Sequence, residues 1–457
     1  MDATGAWPRG QFIEGHLHEL DQLRFQVGLD HDDPCVFVVQ DIAGRDGGKR
    51  LIVHAPPTTM NLMAFPYPDP PIGVFDAAPY REYDPGPPGF ADPAEARRVP
   101  RDPGGILVVG LTAAGDVLHF LPVAVALRRA FPRARIGWVV QDKARAIVEG
   151  RRDLDSVVVF ERQRWAHGLL SPFSASVTFG EILAFKRELA AGGYDLLVDP
   201  QGTAKSAFVN LLSGVPCRIG FARGFCRELN HLTTTARVVL PTRRMHRVRK
   251  SLALLSAAGI NVAEHAARYE VQEASRAEAD LMLDRAGLAG KRFMLVHPGT
   301  SAFGARKRWP AERFGEMADR AHAEFGLIPA FVIGPMERFL RDGLLSGVKS
   351  APRVALEPSS LSHLGALISR AACLVGCDSA PLHLASALRV PVVGLYGPTD
   401  PVLFAPYYPP AVVVVKGLPC PECGEPHCNH PVPRMDAIAV DDVMEGLRML
   451  FRLTEAL

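Results

Sequence analysis

The sequence has no long apolar run and few cysteines for its size. In 457 residues, no stretch approaches the roughly 18 consecutive apolar residues that a transmembrane helix requires. The opening segment, MDATGAWPRGQFIEG, lacks the basic and apolar regions of a secretory signal peptide. The 8 cysteines are too few for a disulfide scaffold, and five of them are scattered, which suits reduced thiols. We therefore expect a cytoplasmic protein.

Neither sign of charge prevails. The chain carries 51 Lys and Arg against 49 Asp and Glu, a formal net charge of +2 that argues against a dedicated nucleic-acid binder. The basic residues are unevenly distributed, because nine of them and a single acid, Glu228, lie between Arg218 and Lys250. Such a run is usually a solvated face, but it can also contact an anionic acceptor or an anionic membrane surface.

Three common nucleotide-binding signatures are missing. No GxGxxG follows the first strand of either half of the chain, which argues against an NAD-dependent dehydrogenase. The segment AGRDGGKR lacks the spacing and the Ser or Thr of a P-loop. Asp153 and Asp155 have the DxD spacing of a metal–nucleotide site, but the surrounding pattern is absent, so we interpret them as part of a loop.

Proline marks the first boundary in the chain. Thirteen of the 39 prolines lie between Pro56 and Pro103, a density that excludes helix and central strand and predicts an extended linker or an irregular wrap. Upstream, the apolar segments 35–42 and 50–54 flank a glycine-containing loop, which predicts a β-hairpin. We expect residues 1–103 to form a small N-terminal extension.

The rest of the chain alternates strand-like apolar runs with helical patterns. The first pair is ILVVGL at 106–111, followed by a helix at 117–131. Continuous apolar runs predict parallel strands that are covered on both faces, as in an α/β fold. Because the pattern restarts near residue 270, we expect two Rossmann-like, doubly wound domains, 104–270 and 271–457. The second includes a Cys-rich loop and a C-terminal helix, and a ligand cleft is expected between the two at the carboxyl ends of their strands.

Asp116 lies where the first strand of this pattern meets the first helix. It directly follows Gly115, which permits a tight turn. The carboxylate can cap the helix, a role in which Asp is common. At the expected cleft it can instead act as a general base on an incoming hydroxyl. Both roles stay open at this point.

Three loops of the second half are predicted to converge on one edge of its sheet. HPGTS precedes Lys307, and its hydroxyls, backbone N–H groups and ammonium suit a diphosphate, although a solvated loop with chance basic residues has the same composition. CDSAPLH offers Asp378 and Ser379, which can cap a helix or bind sugar hydroxyls. GPTDP indicates a rigid turn. Their convergence is a stronger signal than any one of them.

Metal-binding residue types cluster late in the chain. The cysteines are Cys420, Cys423 and Cys428, and the neighbouring histidines are His427 and His430. Three thiols and an imidazole are enough for a tetrahedral zinc or an iron site. No second CxxC completes the pattern, so free thiols or a redox pair are the alternatives. A metal bound by the three thiolates and His430 would be structural, because the cluster is far in sequence from the candidate base.

From residue 104 to about 455 the chain resembles the lipopolysaccharide heptosyltransferases of glycosyltransferase family 9. Six segments carry the resemblance in the order AAGDVLHFLP, RQRW, YDLLVDPQGTAKSA, HPGTS with KRWP, CDSAPLHLASAL and YGPTDP. The pattern is most similar to the heptosyltransferase I branch. The interval between HPGTS and KRWP is longer than in that branch, and the first hundred residues have no counterpart in minimal family members.

The resemblance implies a GT-B fold and an inverting transfer of heptose from ADP-L-glycero-D-manno-heptose to an inner-core sugar hydroxyl of lipopolysaccharide, with no metal required for catalysis. It makes Asp116 the catalytic base. It assigns donor binding to Thr300, Ser301, Lys307, Glu337, Asp378, Ser379 and His383. The acceptor-binding candidates are Arg162, Arg164 and Lys205. The expected partners are ADP-heptose and an anionic lipopolysaccharide precursor or glycan, and the cytoplasmic enzyme is expected to be peripheral at the inner membrane.

The implied chemistry also fits the residues themselves. In-line displacement needs a base on the acceptor hydroxyl and positive charge at the departing diphosphate on the opposite side. Asp116 from one half of the chain and Lys307 from the other would provide these across the cleft. We therefore predict that the two side chains share one crevice.

Two alternatives stay open. A related branch modifies autotransporter proteins and has both an extra N-terminal module and a Cys-liganded iron site, so the acceptor could be a protein or another glycan. A non-catalytic nucleotide-sugar-binding protein would bind the donor without turnover, and the presence of Asp116, Lys307 and Asp378 argues against it.

Overall fold

The structure is a computed structural model that describes only part of the chain. The described residues are 13–15, 25–29, 36–41, 50–54, 73–77, 86–170, 174–263, 267–300, 302–416 and 435–455. The chain divides into two units, Met1–Asp69 and Pro70–Leu457.

The first unit contains four strands, β1 (Ile13–Gly15), β2 (Phe25–Leu29), β3 (Val36–Asp41) and β4 (Arg50–His54). They form an antiparallel sheet in the order β1-β2-β3-β4. Strands β3 and β4 pair with Val36 opposite His54 and Gln40 opposite Arg50. This pairing confirms the hairpin that the sequence predicts.

The second unit contains two seven-stranded sheets and the helices that cover them. The proline-rich stretch contributes β5 (Gly73–Asp76), β6 (Gly89–Phe90) and the short helix α1 (Pro93–Ala96). The elements of the N-terminal lobe are β7 (Gly105–Val109), α2 (Ala114–Ala130), β8 (Arg135–Val140), α3 (Arg145–Val148), β9 (Ser156–Val159), α4 (Arg162–Leu170), α5 (Ala175–Ala191), β10 (Leu196–Val198), α6 (Ala204–Ser213), β11 (Cys217–Phe221), β12 (Ala236–Val239) and α7 (Arg247–Ala257). The elements of the C-terminal lobe are α8 (Glu273–Arg285), β13 (Phe293–His297), α9 (Ala311–Phe325), β14 (Ile328–Val332), α10 (Arg341–Gly347), β15 (Val354–Leu356), α11 (Leu361–Ile368), β16 (Cys373–Cys377), α12 (Ala380–Ala387), β17 (Val392–Tyr396), α13 (Pro401–Phe404), β18 (Ala411–Val415) and α14 (Val440–Glu455).

Both large sheets have the same topology. Their orders are β6-β12-β11-β10-β7-β8-β9 and β15-β14-β13-β16-β17-β18-β5. In each sheet six strands are parallel and follow the doubly wound order 3-2-1-4-5-6. The strands are parallel and buried because they consist of continuous apolar runs such as GILVV in β7 and FMLVH in β13, which need cover on both faces. This confirms the prediction of two Rossmann-like, doubly wound halves.

The topology fixes where a ligand can bind. In a sheet of this order, the chain leaves the first and fourth strands toward opposite faces, which opens a crevice at their carboxyl ends. These strands are β7 and β10 in the N-terminal lobe and β13 and β16 in the C-terminal lobe. Asp116 follows β7, and Asp378 follows β16. The sequence motifs therefore lie at the two switch points.

The proline-rich stretch is more than a linker, and the exclusion of helix is wrong for α1, whose Pro93 lies in the first turn, where proline is tolerated. Strand β5 pairs antiparallel with β18 at one edge of the C-terminal sheet, and β6 pairs antiparallel with β12 at one edge of the N-terminal sheet. Edge positions suit a proline-rich segment, since only one side of an edge strand needs its N–H groups.

The domain boundaries that the sequence predicts, at residues 103 and 270, stay a prediction. Among the described helices, none combines the length and the apolar character needed to cross a membrane.

Candidate active site

Asp116 lies in the first turn of α2, directly after the loop that leaves β7. Its Oδ2 accepts the N–H of Ala113 at 3.3 Å, and its side chain is half-buried. The carboxylate thus satisfies a backbone donor at the start of the helix, as the capping interpretation predicts. One such bond leaves other lone pairs of the carboxylate available, so this contact is compatible with a role as base.

Gln201 holds the loop that precedes Asp116. It follows β10, the neighbouring strand at the switch point, and its Oε1 accepts the N–H groups of Leu111 at 2.7 Å and Thr112 at 3.3 Å. Asp199 in turn fixes the Gln201 turn by accepting the backbone N–H groups of Gln201 and Gly202 at 3.1 and 3.0 Å. Burial raises the pKa of Asp199, although its hydrogen bonds oppose that effect. We did not single out Gln201 from the sequence, although its place just after a strand at the expected crevice was a usable signal.

On the C-terminal lobe, Asp378 is the centre of a buried ion-pair network. Its Oδ2 lies 2.6 Å from Lys307 Nζ, and its Oδ1 lies 3.1 Å from His383 Nε2. Burial by itself would raise the pKa of Asp378, but the hydrogen bond from His383 and the charge of Lys307 outweigh it and hold this pKa below its usual range. The carboxylate is therefore ionised at neutral pH. Three residues predicted to bind the donor are in direct contact.

The two switch points meet at Gly115. A Cβ atom at this position would lie 3.2 Å from His383 Cδ2 and 3.9 Å from the Cα of Ala380. The first turn of α2 therefore packs against the start of α12, and glycine makes this close approach possible. The turn that carries Asp116 is joined through His383 to the pair of Lys307 and Asp378. The arrangement supports the predicted shared crevice.

Two further histidines extend the contact between the lobes. His119, one turn after Asp116, stacks edge-on against His383 with ring centroids 4.4 Å apart, and it lies 5.5 Å from the ring of His246. Burial lowers the pKa of His119 well below its ordinary value and that of His246 to about 3, so both rings are neutral at pH 7. His246 Nε2 also lies 2.9 Å from the carbonyl oxygen of Ala405 in the C-terminal lobe. These contacts fix α2 against the C-terminal lobe.

A second polar cluster lies at the end of β13. His297 Nδ1 is 3.2 Å from Ser379 Oγ, and His297 Nε2 is 3.8 Å from Glu337 Oε1. Burial lowers the pKa of His297 to about 4, so its ring is neutral at pH 7. Burial raises the pKa of Glu337, while the N–H of Gly334, 2.8 Å from its Oε2, acts against this. The structure therefore brings Glu337 and Ser379 together around a histidine that we did not single out.

Because Gly299 has no Cβ atom, it leaves room for the Glu337 side chain. A Cβ atom at Gly299 would lie 2.2 Å from Glu337 Oε1 and 2.7 Å from its Cγ. We expect Gly299→Ala to displace Glu337 and to lower the free energy of unfolding by about 1–3 kcal/mol, a typical cost of overpacking. Urea unfolding of the variant and the parent protein measures the difference.

Gly343→Ala is the matched control for this substitution. Gly343 lies inside α10, has no atom within 4 Å of its Cβ position, and is exposed. Alanine there should leave the protein unchanged or stabilise it by about 0.5–1 kcal/mol, since alanine is the better helix former. Equal effects of the two substitutions would contradict the proposed fit between Gly299 and Glu337.

Arg308 holds the loop that contains Thr300. Its Nε donates to Thr300 Oγ1 at 3.2 Å, and its Nη2 donates to the Thr300 carbonyl oxygen at 2.9 Å. Thr300 is buried. The guanidinium therefore fixes the loop whose hydroxyls were predicted to bind the donor. Ser301, the other predicted hydroxyl, lies outside the described residues.

The three acceptor candidates lie at the starts of two helices of the N-terminal lobe. Arg162 is exposed at the first position of α4, and Arg164 pairs with Glu181 of α5. Lys205 is half-buried in the first turn of α6, four residues after Gln201. Of the three, Lys205 is the one nearest in sequence to Gln201, which binds the loop before Asp116. Their role in acceptor binding stays a prediction.

The basic segment is partly structural. Arg218 donates to the carbonyl oxygens of Thr233 and Val215, and Arg237 pairs with the buried Glu95. Other members face the region between the lobes. Arg244 Nε lies 2.6 Å from Asp400 Oδ2 in the GPTDP turn. Burial and neighbouring arginines lower the pKa of Lys250 to about 7.

The four predicted metal ligands lie outside the described residues, namely Cys420, Cys423, Cys428 and His430. Within the ranges that the structure covers, no group of three or more His, Cys, Asp or Glu side chains is arranged to hold a metal. Asp153 and Asp155 lie in a loop before β9, where Asp153 pairs with Arg151 and Asp155 with Arg128. Both carboxylates of this DxD are therefore used in ion pairs.

Comparisons with known proteins give a consistent result. The family model for glycosyltransferase family 9 (heptosyltransferase) matches residues 182–431. Lipopolysaccharide heptosyltransferase 1 of Pseudomonas aeruginosa is 28% identical over 330 residues, which cover 71% of this chain and 87% of that protein. Lipopolysaccharide heptosyltransferase 1 of Escherichia coli K12 is 28% identical over 315 residues, which cover 66% of this chain and 90% of that protein.

Two solved structures are similar in fold. A family 9 glycosyltransferase from Veillonella parvula superposes with a TM-score of 0.64 at 22% identity, covering 77% of this chain and 98% of that one. The E. coli heptosyltransferase WaaC with ADP gives a TM-score of 0.59 at 24% identity, covering 76% of this chain and 99% of that one. Both support the GT-B arrangement that the resemblance implied. Because the family model matches more than half of the sequence, this chain belongs to glycosyltransferase family 9 and is a glycosyltransferase.

Proposed function

We propose that the enzyme transfers heptose from ADP-L-glycero-D-manno-heptose to a sugar hydroxyl of the lipopolysaccharide inner core, with inversion at the anomeric carbon and without a catalytic metal. Two relatives are named lipopolysaccharide heptosyltransferase 1, and a related structure contains ADP. The observation that carries the proposal is the packing of Gly115 against His383, because it joins the turn of Asp116 to the Lys307–Asp378 pair.

In this proposal Asp116 is the general base. It accepts the proton of the acceptor hydroxyl while the hydroxyl oxygen forms a bond to the anomeric carbon of heptose. The bond between that carbon and the diphosphate oxygen breaks on the opposite side, so the configuration inverts and ADP leaves with the bonding electrons. The half-buried position of Asp116 at the junction of the lobes suits this role.

Lys307 is proposed to neutralise the departing diphosphate. Its ammonium has three N–H donors, of which Asp378 accepts one at 2.6 Å. The remaining donors can meet phosphate oxygens near the N-terminus of α12, where the helix dipole also favours an anion. Asp378 and His383 hold the ammonium at this place, and Glu337 and Ser379 are proposed to contact the rest of the donor.

Because this positive charge comes from a side chain and a helix, we expect transfer to be insensitive to chelation. Excess EDTA should change the initial rate by less than about twofold, whereas a catalytic metal would be worth orders of magnitude. Mass spectrometry of the product at early times measures the rate. A loss of activity that Mg²⁺ restores would contradict metal independence.

Elemental analysis of the purified protein separately tests whether zinc or iron is bound, as the Cys420–Cys423–Cys428 cluster predicts.

The substrates can be tested in one set of reactions. ADP-heptose and ADP-glucose are each offered with a Kdo-lipid acceptor, and the products are identified by mass spectrometry. We expect transfer of heptose and no transfer of glucose. NMR of the product should show that the anomeric configuration is inverted relative to the donor. Transfer to a protein acceptor instead, or donor binding without turnover, would overturn the proposed acceptor or the proposed activity. A truncated form for comparing acceptors should lack residues 1–69 only, since β5 and β6 belong to the large sheets.

A further inference from the structure

Exposed apolar side chains are concentrated in one stretch of the sequence, which belongs to the N-terminal lobe. In the part of the chain that the structure describes, eleven large apolar side chains are exposed, and eight of them lie between residues 169 and 232. Four are on the helical hairpin of α4 and α5, namely Leu169, Leu170, Val177 and Phe179. Monomeric soluble proteins scatter such side chains singly, whereas a group of them marks a surface that binds something.

The hairpin is built so that these side chains stay outside. Trp165 of α4 and Phe185 of α5 are buried, with ring centroids 5.2 Å apart, and they anchor the inner face of the hairpin in the core of the lobe. The tip of the hairpin here means the C-terminal end of α4 and the N-terminal end of α5. Near it, a Cβ atom at Gly168 would lie 2.0 Å from Thr178 Oγ1, so the two helices are in close contact. Leu170 is 84% exposed and Phe179 58%. Since the inner face is already filled, the outer side chains have no place in the core.

The charge distribution indicates what the tip contacts. Between Arg164 and Glu181 the sequence has no Asp, Glu, Lys or Arg, so no charge opposes entry into an apolar phase. In sequence, residues 162–250 carry 14 Lys and Arg against 5 Asp and Glu. Several of these cations are used in contacts within the fold, but Arg162, Lys186 and Arg187 of the two helices are exposed. An uncharged apolar tip on a basic lobe complements an anionic lipid surface.

We propose that the tip of the α4–α5 hairpin docks the enzyme on an anionic lipid bilayer. Leu169, Leu170, Val177 and Phe179 enter the headgroup region. The exposed basic side chains of the same two helices, Arg162, Lys186 and Arg187, contact lipid phosphates. The biological reason rests on the proposed function, because an enzyme that modifies a lipid-anchored glycan has to reach the membrane. A second copy of the chain fits this surface less well, since two such basic surfaces would repel each other.

The test uses the full chain and vesicles without any acceptor. The double variant Leu170→Glu/Phe179→Glu is compared with the parent protein and with Leu281→Glu, which changes a 51% exposed leucine on α8 of the other lobe. The parent and Leu281→Glu should co-sediment with phosphatidylglycerol-containing vesicles more than with phosphatidylcholine vesicles, and added salt should weaken the binding. The double variant should bind at least about tenfold more weakly.

Three results would overturn the proposal. They are equal binding by the double variant and the parent, no preference for anionic vesicles, and a concentration-dependent dimer that the double substitution disperses. Transfer to a delipidated, water-soluble acceptor is measured in parallel and should be the same in the double variant and the parent. If the parent transfers no heptose to that acceptor, the proposed function fails, but the vesicle result still decides the docking surface.

Discussion

Replacing Asp116 by Asn should lower kcat for heptose transfer by about 10³-fold, in the range that loss of a general base typically causes. Asparagine keeps the shape of the side chain and can still accept the Ala113 N–H, so the start of α2 should be preserved. It cannot take the proton from the acceptor hydroxyl. Because Asp116 is not proposed to bind the donor, the Kd for ADP-heptose measured by calorimetry should be nearly unchanged.

Asp142→Asn is the matched control for this experiment. Asp142 follows β8 at the same edge of the same sheet, but it is exposed at the start of a short 3-10 helix. Its replacement should leave kcat within about twofold of the parent value, as is usual for a surface change. Comparable activity of Asp116→Asn and Asp142→Asn would show that Asp116 is only a helix cap.

Replacing Lys307 by Met should reduce kcat/KM by about 10²–10³-fold, the usual cost of removing one donor to developing negative charge. Methionine keeps most of the apolar stem and removes the ammonium. The Kd for ADP-heptose should also rise, since the diphosphate is charged before and after transfer. The free energy of unfolding should fall as well, because the buried Asp378 loses its cation.

Two further variants separate catalysis from stability. Lys416→Met removes a lysine that pairs with Asp442 of α14 at 2.9 Å, so it breaks a comparable ion pair without touching α12. It should leave transfer intact. Lys307→Met/Asp378→Asn removes both charges and should recover much of the lost stability without recovering transfer. If the double variant also regained kcat/KM, Lys307 would have only a structural role.

The positions of the active-site motifs in the fold can be predicted from the sequence because the strands are buried on both faces. FMLVH is a continuous apolar run of the kind that predicts such a strand, and it forms β13 in full; the motifs after β7 and β16 lie at the carboxyl ends of parallel strands. Helix α9 begins directly after Pro310 and ends directly before Gly326, and both of these boundary signals can be recognised in the sequence. Pattern and topology together are enough to bring Asp116, Lys307 and Asp378 to one side of the fold.

The elements that were missed owe their structure to partners distant in sequence. Strand β11 contains Arg218, and a charged residue is untypical of an interior strand. The Arg218 guanidinium donates to the carbonyl groups of Thr233 and Val215. Gln201 acts through the backbone of a loop 90 residues earlier, a relation that no local pattern contains. The edge strands β5 and β6 depend on partners more than a hundred residues away.

These two edge strands also limit how the enzyme can move. The chain passes from β5 in one sheet to β6 in the other, so the lobes are tethered here as well as by the connection between α7 and α8. Thirteen residue steps from Asp76 to Gly89 span at most about 45 Å when fully extended. The separation of the lobes during substrate exchange is thus bounded by two covalent crossings, and cleavage of either crossing alone leaves the halves connected.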